Sequence, residues 1–169
     1  MVKRGGGCHA GEMKLQRMMF VNVLVLVVVA MAWPVVGGAQ EKGYWRAASQ
    51  TAKSITGDVS FTKEKVTINL SSYWIAQIRT ITPEEAGAAF GAESVDGGSG
   101  NLYRLSIPGD MKFLRKNTLC GGEDVQWAVT YVVGHRLAMD LFSSKQMPVL
   151  TAAGLKDAPN LCGTFFYMK

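Results

Sequence analysis

The sequence predicts a mainly β domain: an antiparallel barrel or sandwich of about seven strands, with one short helix and one disulfide. Three observations lead there. Short alternating or continuous apolar segments recur at intervals of roughly 8–15 residues, with turn residues between them. A single stretch, from Thr82, carries the signature of a helix start. The tripeptide Leu-Cys-Gly occurs at Leu119–Gly121 and again at Leu161–Gly163, each time close behind an asparagine (Asn117, Asn160) and ahead of an apolar run.

Taken in order, Ile55–Phe61 reads as the first strand and Val66–Leu70 as the second, with Lys63-Glu64 as the turn of a hairpin. Tyr73–Ile81 is the third. Thr82 then offers a cap, Pro83 suits the first helical position and Glu85 completes a capping box. Ala86, Ala88, Ala89 and Phe90 carry that helix for about two turns before Gly91 ends it. Residues 93–100 read as a flexible loop. Its Gly97-Gly-Ser-Gly100 lacks the following helix and the lysine of a phosphate-binding loop. Asn101–Ile107 is the fourth strand, Pro108-Gly109-Asp110 a turn and Met111–Lys116 a basic connector. Val125–Val133 is the longest strand. It is apolar on both faces, which predicts a central strand covered on both sides. Leu137–Phe142 is its antiparallel partner across Gly134-His135, and Asn160–Met168 is the terminal strand. Trp45, Trp74, Trp127 and Phe165–Tyr167 are expected in the core, or lining an apolar cavity if the sheet closes into a barrel.

The first forty residues follow a different logic. Lys3, Arg4, Lys14 and Arg17 precede the apolar run Val23–Ala32, Pro34 breaks it, and Gly37-Gly-Ala39 supplies small residues ahead of Gln40. That order predicts a secretory signal over residues 1–39, cleaved before Gln40. The alternative is an uncleaved membrane anchor, because Met18–Val36 nearly spans a bilayer of about 30 Å. The organisation expected is therefore a signal peptide (1–39), an N-terminal arm (40–54) and a β domain (55–169). Removing residues 1–39 from the 169 leaves one ordinary domain. The leader holds four of the 18 Lys+Arg and one of the 13 Asp+Glu, so the net charge of +5 falls to +2. That balance argues against a nucleic-acid partner.

Only Cys120 and Cys162 survive such processing, and an even pair in an exported chain predicts a disulfide, with two buried free thiols as the alternative. Closing a loop of about forty residues contributes on the order of 4 kcal/mol. Their separation does not fit the close ligand spacing of a zinc site. No metal and no cofactor is expected.

Candidate chemistry is sparse. His135, the one histidine beyond the leader, falls in a predicted turn between Gly134 and Arg136, with no nucleophile signature in the chain. Glu84 and Glu85 suit the first turn of a helix, and Glu123 and Asp124 follow a Gly-Gly turn, so both pairs have structural explanations. Lys112, Arg115 and Lys116 surround Phe113, and with Arg104 they form the candidate binding set: an anion-binding patch for a headgroup, polysaccharide or acidic partner. The bland reading is a solvated basic loop.

The segments Ile55-Thr-Gly-Asp58, Leu102-Tyr-Arg104, Asn117-Thr-Leu-Cys-Gly-Gly122 and Leu161-Cys-Gly-Thr-Phe165 resemble a group of small exported hypothetical proteins of Gram-negative bacteria. The resemblance runs from Ile55 to Lys169. It implies an exported location and a shared disulfide pattern, and it carries over no chemistry or functional residues. The function expected is thus an exported, non-enzymatic binding module, periplasmic or secreted, whose partner is a small ligand, an envelope component or a protein. Contact with the membrane is expected only through an uncleaved N-terminal segment. A small enzyme using His135 with a carboxylate and a structural envelope protein are the alternatives.

Overall fold

The computed structural model of the protein describes residues 41–91 and 97–169. The predicted signal segment, Gln40 and part of the loop at 93–100 lie outside them. The eight strands are β1 (Gly43–Ala47), β2 (Val59–Phe61), β3 (Lys65–Ile68), β4 (Ser71–Thr80), β5 (Ser99–Ile107), β6 (Val125–Val133), β7 (Arg136–Phe142) and β8 (Leu161–Met168). Each pairs antiparallel with the next, and β8 returns to β1, so the sheet closes into an up-and-down barrel. Closure rather than a sandwich leaves no free sheet edge.

Residues 43–54, expected as an arm, are part of this barrel. Gly43–Ala47 is the closing strand and α1 (Gln50–Ser54) follows it. Trp45 is fully buried and donates its indole N–H to the Glu41 carbonyl (2.7 Å). A five-residue strand shows too few alternations to be read from sequence, and its partners are remote in the chain. The predicted first strand is correspondingly shorter. Ile55 caps α1, Thr56 hydrogen-bonds back to the Ala52 carbonyl, and Gly57 turns the chain into β2.

The helix predicted from Thr82 is α2 (Pro83–Phe90), with its capping box formed. Glu85 also holds Arg79 through two hydrogen bonds of 2.6 and 2.7 Å, and this guanidinium keeps its carboxyl below the usual range. A third short helix, α3 (Ala152–Lys156), lies in the connection before β8. No helix among the described residues is long and apolar enough to cross a membrane.

Alternation along the strands sorts side chains into two apolar clusters. The interior holds Trp45, Phe61, Tyr73, Tyr103, Phe165 and Tyr167 among its aliphatic neighbours. A second cluster lies on the outer wall: Leu102 of β5, Trp127 and Val129 of β6 and Phe142 of β7, with Phe90 of α2 and Leu155 of α3 packed against it. Burial of β6 on both faces is the covered central strand that its composition predicts. Trp74 departs from expectation. It points outward from β4 and is 66% exposed, with the Lys65 ammonium 4.1 Å from its ring centre.

Candidate binding surface at the disulfide end

The meander puts the β3–β4 turn, the β5–β6 loop (residues 108–124), α1 and the β7–β8 connection at one end of the barrel. Cys120 in the loop and Cys162 at the start of β8 are joined there, their Cα atoms 4.7 Å apart. The loop is fixed at further points. Phe113 and Leu119 are buried in the core, and Phe113 packs on Tyr73. Leu114 N–H donates to the Ile55 carbonyl (3.0 Å), and the Asn117 side chain donates to the Ser54 carbonyl (3.0 Å). Gly109 runs so close to the backbone of Gly122 that no side chain fits, while its N–H donates to the Asp124 carboxylate (2.7 Å).

These anchors hold an unusual conformation. Arg115 (φ 56°) and Lys116 (φ 64°) both sit in the left-handed region, inside a single 3₁₀ turn, with their side chains exposed. A second such pair, Asn69 (φ 44°) and Leu70 (φ 69°), forms the two-residue β3–β4 turn. A turn of this type favours glycine at its second position. Here a leucine stands in it, 96% exposed. Leucine in the left-handed region costs about 1–2 kcal/mol, and full exposure recovers nothing from burial.

Leu70 and Leu114 line one hollow of about 630 Å³, together with Lys53, Tyr44 and Asp58 on the outer face of β1–β3 and α1. Asp58 is already engaged by the Tyr44 hydroxyl and by the Ala47 N–H (2.8 Å), and the tyrosine bond holds its carboxyl below the usual range. Lys53, Lys112, Arg115 and Lys116 are all exposed near this end, with Asp110 among them. The result is a hollow with two exposed leucines and Lys53 in its lining, and with Lys112, Arg115 and Lys116 exposed on the loop that carries Leu114.

The structure therefore brings together Lys112, Arg115 and Lys116 and separates the other two candidates from them. Phe113 is an interior plug that positions the loop. Arg104 lies on the outer wall of β5, 4.6 Å from the Trp127 ring and bonded to the Gln126 side-chain oxygen (2.5 Å). Leu70, Lys53 and Leu114 escaped the sequence reading. The one available signal was Asn69-Leu70-Ser71-Ser72, a polar break holding an apolar residue that strand alternation absorbed. His135 stands in the exposed two-residue β6–β7 turn at the opposite end. Among the described residues no His, Cys, Asp or Glu cluster is placed to hold a metal ion.

At that opposite end Glu41 is buried inside the barrel. Its Oε1 accepts from the Asn101 amide (2.7 Å) and the Thr130 hydroxyl (2.6 Å), and Gln77 bonds Asn101 in turn (2.6 Å). Burial, with the Glu41 charge nearby, raises the Tyr103 phenol far above its usual value. This network ties the start of β1 to β4, β5 and β6; Glu41, Asn101 and Thr130 are buried, and Gln77 carries it out to the surface.

The fold and this surface define a disulfide-stapled antiparallel barrel that is filled inside and featured outside. Comparison with protein-family models, with curated proteins and with solved structures finds no match for the chain.

Proposed function

We propose that the protein is an exported, non-enzymatic binding module of the cell envelope or the secreted fraction, and that it holds an acidic partner at its disulfide end. One observation carries this reading: the exposed left-handed Leu70 shares one hollow with Leu114, and Leu114 leads directly into the exposed left-handed pair Arg115-Lys116 in the loop that the disulfide holds. Strain of this kind persists where the surroundings enforce it, and it concentrates at binding surfaces. Leu70 and Leu114 supply apolar contact, and Lys112, Arg115 and Lys116 supply charge that steers an acidic partner. The filled interior moves the binding role from the barrel cavity to its outer surface.

A photo-reactive residue at position 70 tests this in the exporting cell. A discrete cross-linked product is expected, lost at high salt and lost when Lys112, Arg115 and Lys116 are all changed to Gln. The same residue at position 74, on the outer face of β4 but away from the β3–β4 turn, should give none. A product that persists in high salt and in the triple variant would replace the acidic partner with a purely apolar one, and no product at all would refute the surface.

Export rests on the order of charge, apolar run and small residues up to Ala39, on the disulfide, and on the resemblance to small exported proteins. N-terminal sequencing of the exported form should begin at Gln40. An intact N-terminus in the membrane fraction would establish the anchor instead.

A further inference from the structure

A second surface lies at the opposite end, on the outer wall of β6–β8. A hollow of about 260 Å³ opens there, lined by Tyr131, Val133, Arg136, Ala138, Phe166 and Met168. Phe166 (44%) and Met168 (49%) are exposed, on a wall whose neighbouring stretch lies buried under helices. An exposed apolar patch with a polar rim marks a contact site. The register supplies the rim. Met168 pairs with Arg136 on β7 and with Arg46 on β1, so the three side chains stand in a row on the outer face. Strands are spaced about 4.8 Å apart, which sets the two arginines on either side of Met168 at roughly twice that distance. Among the described residues the ion pair is Arg79–Glu85, so neither guanidinium is in direct contact with a carboxylate of those residues. Asp58, whose carboxylate feels Arg46, is occupied by Tyr44 and Ala47. The Lys169 ammonium is turned away, over the Trp45 ring and onto the Lys42 carbonyl.

We propose that this hollow binds a single long-chain carboxylate, its head between Arg46 and Arg136 and its chain laid over Met168 against Phe166 and Ala138. The paired arginines select an anion, and guanidinium forks match a carboxylate with two parallel hydrogen bonds. The hollow lies just below the usual range of about 300–1,000 Å³ for small-molecule sites, which admits one chain and excludes a two-chain lipid. A peptide is disfavoured by the closed barrel. β7 lies between β6 and β8, and beside the hollow β8 is paired with β1 at Tyr167 and Met168 and bonded to Ala48 at Phe166, so an added extended segment finds no free strand edge there.

Binding of dodecanoate to the purified protein, measured by calorimetry below its micellar concentration, tests the site. One dodecanoate per chain is expected, with dodecanol at least tenfold weaker. Arg46→Gln with Arg136→Gln should reduce dodecanoate to the level of dodecanol while leaving the melting temperature unchanged. Ala138→Trp should abolish binding of both by filling the hollow. Phe166→Ser, at an exposed position, should weaken both and serves if the tryptophan variant misfolds. The triple change of Lys112, Arg115 and Lys116 to Gln should leave dodecanoate binding intact, which separates this site from the disulfide end. No binding, binding unchanged in the double arginine variant, or binding to phosphatidylglycerol vesicles without binding of monomeric dodecanoate would each overturn the proposal.

Discussion

The wall formed by β5–β7 and the wall formed by β2–β4 enclose the same interior, yet they differ in what lies outside them. Over β5–β7, Leu102, Trp127, Val129 and Phe142 are buried under Phe90 of α2 and Leu155 of α3. Over β2–β4 the outer positions are Ser60 and Thr67, half-buried, and Ser72 and Trp74, exposed. The first wall is a two-sided core and the second a one-sided sheet. Strand patterning follows: β6 is apolar on both faces, while β3 and β4 alternate. The lesson is that a closed barrel still has a front and a back. The covered back holds the structure, and the open front is free to carry strain and charge.

The sharpest way to break this comparison is a matched pair of truncations. Trp127→Ala should cost about 3–5 kcal/mol, because it empties a packed site and removes the ring over which Arg104 lies. Trp74→Ala should cost less than about 1 kcal/mol, the worth of an exposed cation–π contact. Denaturant unfolding of both variants decides it, and equal losses would mean that the two walls are equivalent.

Asp140 probes the covered wall from within. It points outward from β7, opposite Val129 and Thr164, and is almost fully buried. Burial pushes its carboxyl up to about 7, only partly opposed by a hydrogen bond from Thr164. The folded chain therefore keeps a proton that the unfolded chain releases near pH 4. Stability contributed by this group is complete below that pH and is lost progressively up to about pH 7, by roughly 4 kcal/mol at about 1.36 kcal/mol per pH unit. Asp140→Asn should remove this slope and be the more stable form at pH 8. Melting temperatures measured from pH 5 to 8 test the sign. A wild-type protein that gains stability over that interval would show that the cover admits water.

A smaller effect is expected at the disulfide. Cys120→Ser with Cys162→Ser should lose about 2–5 kcal/mol, since a loop of 42 residues is released in the unfolded state. Phe113, Leu119 and the contacts of Asn117 still hold the loop, so cross-linking through position 70 should persist wherever the variant remains folded. Two free thiols in the denatured, unreduced wild-type protein would remove the staple from the argument.

Much of the architecture was legible in the chain. The helix at Thr82–Phe90 was readable because capping is local: Thr82 and Glu85 satisfy each other's backbone groups whatever surrounds them. The strand Val125–Val133, its partner through Phe142 and the terminal strand were readable because each is long enough to show its pattern. Cys120 and Cys162 were readable as a pair because no other cysteine follows the apolar run. Other features are set by residues distant in sequence. The segment Gly43–Ala47 becomes a strand only because β2 and β8 present their edges to it, and Trp45 enters the core only when that gap closes. Trp74 is exposed because register, not hydrophobicity, assigns it to the outer face, opposite Lys65. The candidate surface shows the same division. The charges at Lys112, Arg115 and Lys116 are written in the sequence, whereas the left-handed backbone of Arg115 and Lys116 and the meeting of Leu114 with Leu70 at one hollow depend on a disulfide, two buried side chains and hydrogen bonds to the end of α1. Local backbone preference and periodicity act over a few residues and can be read along the chain. Closure, facing and strain depend on which distant segments meet, and only the tertiary structure decides them.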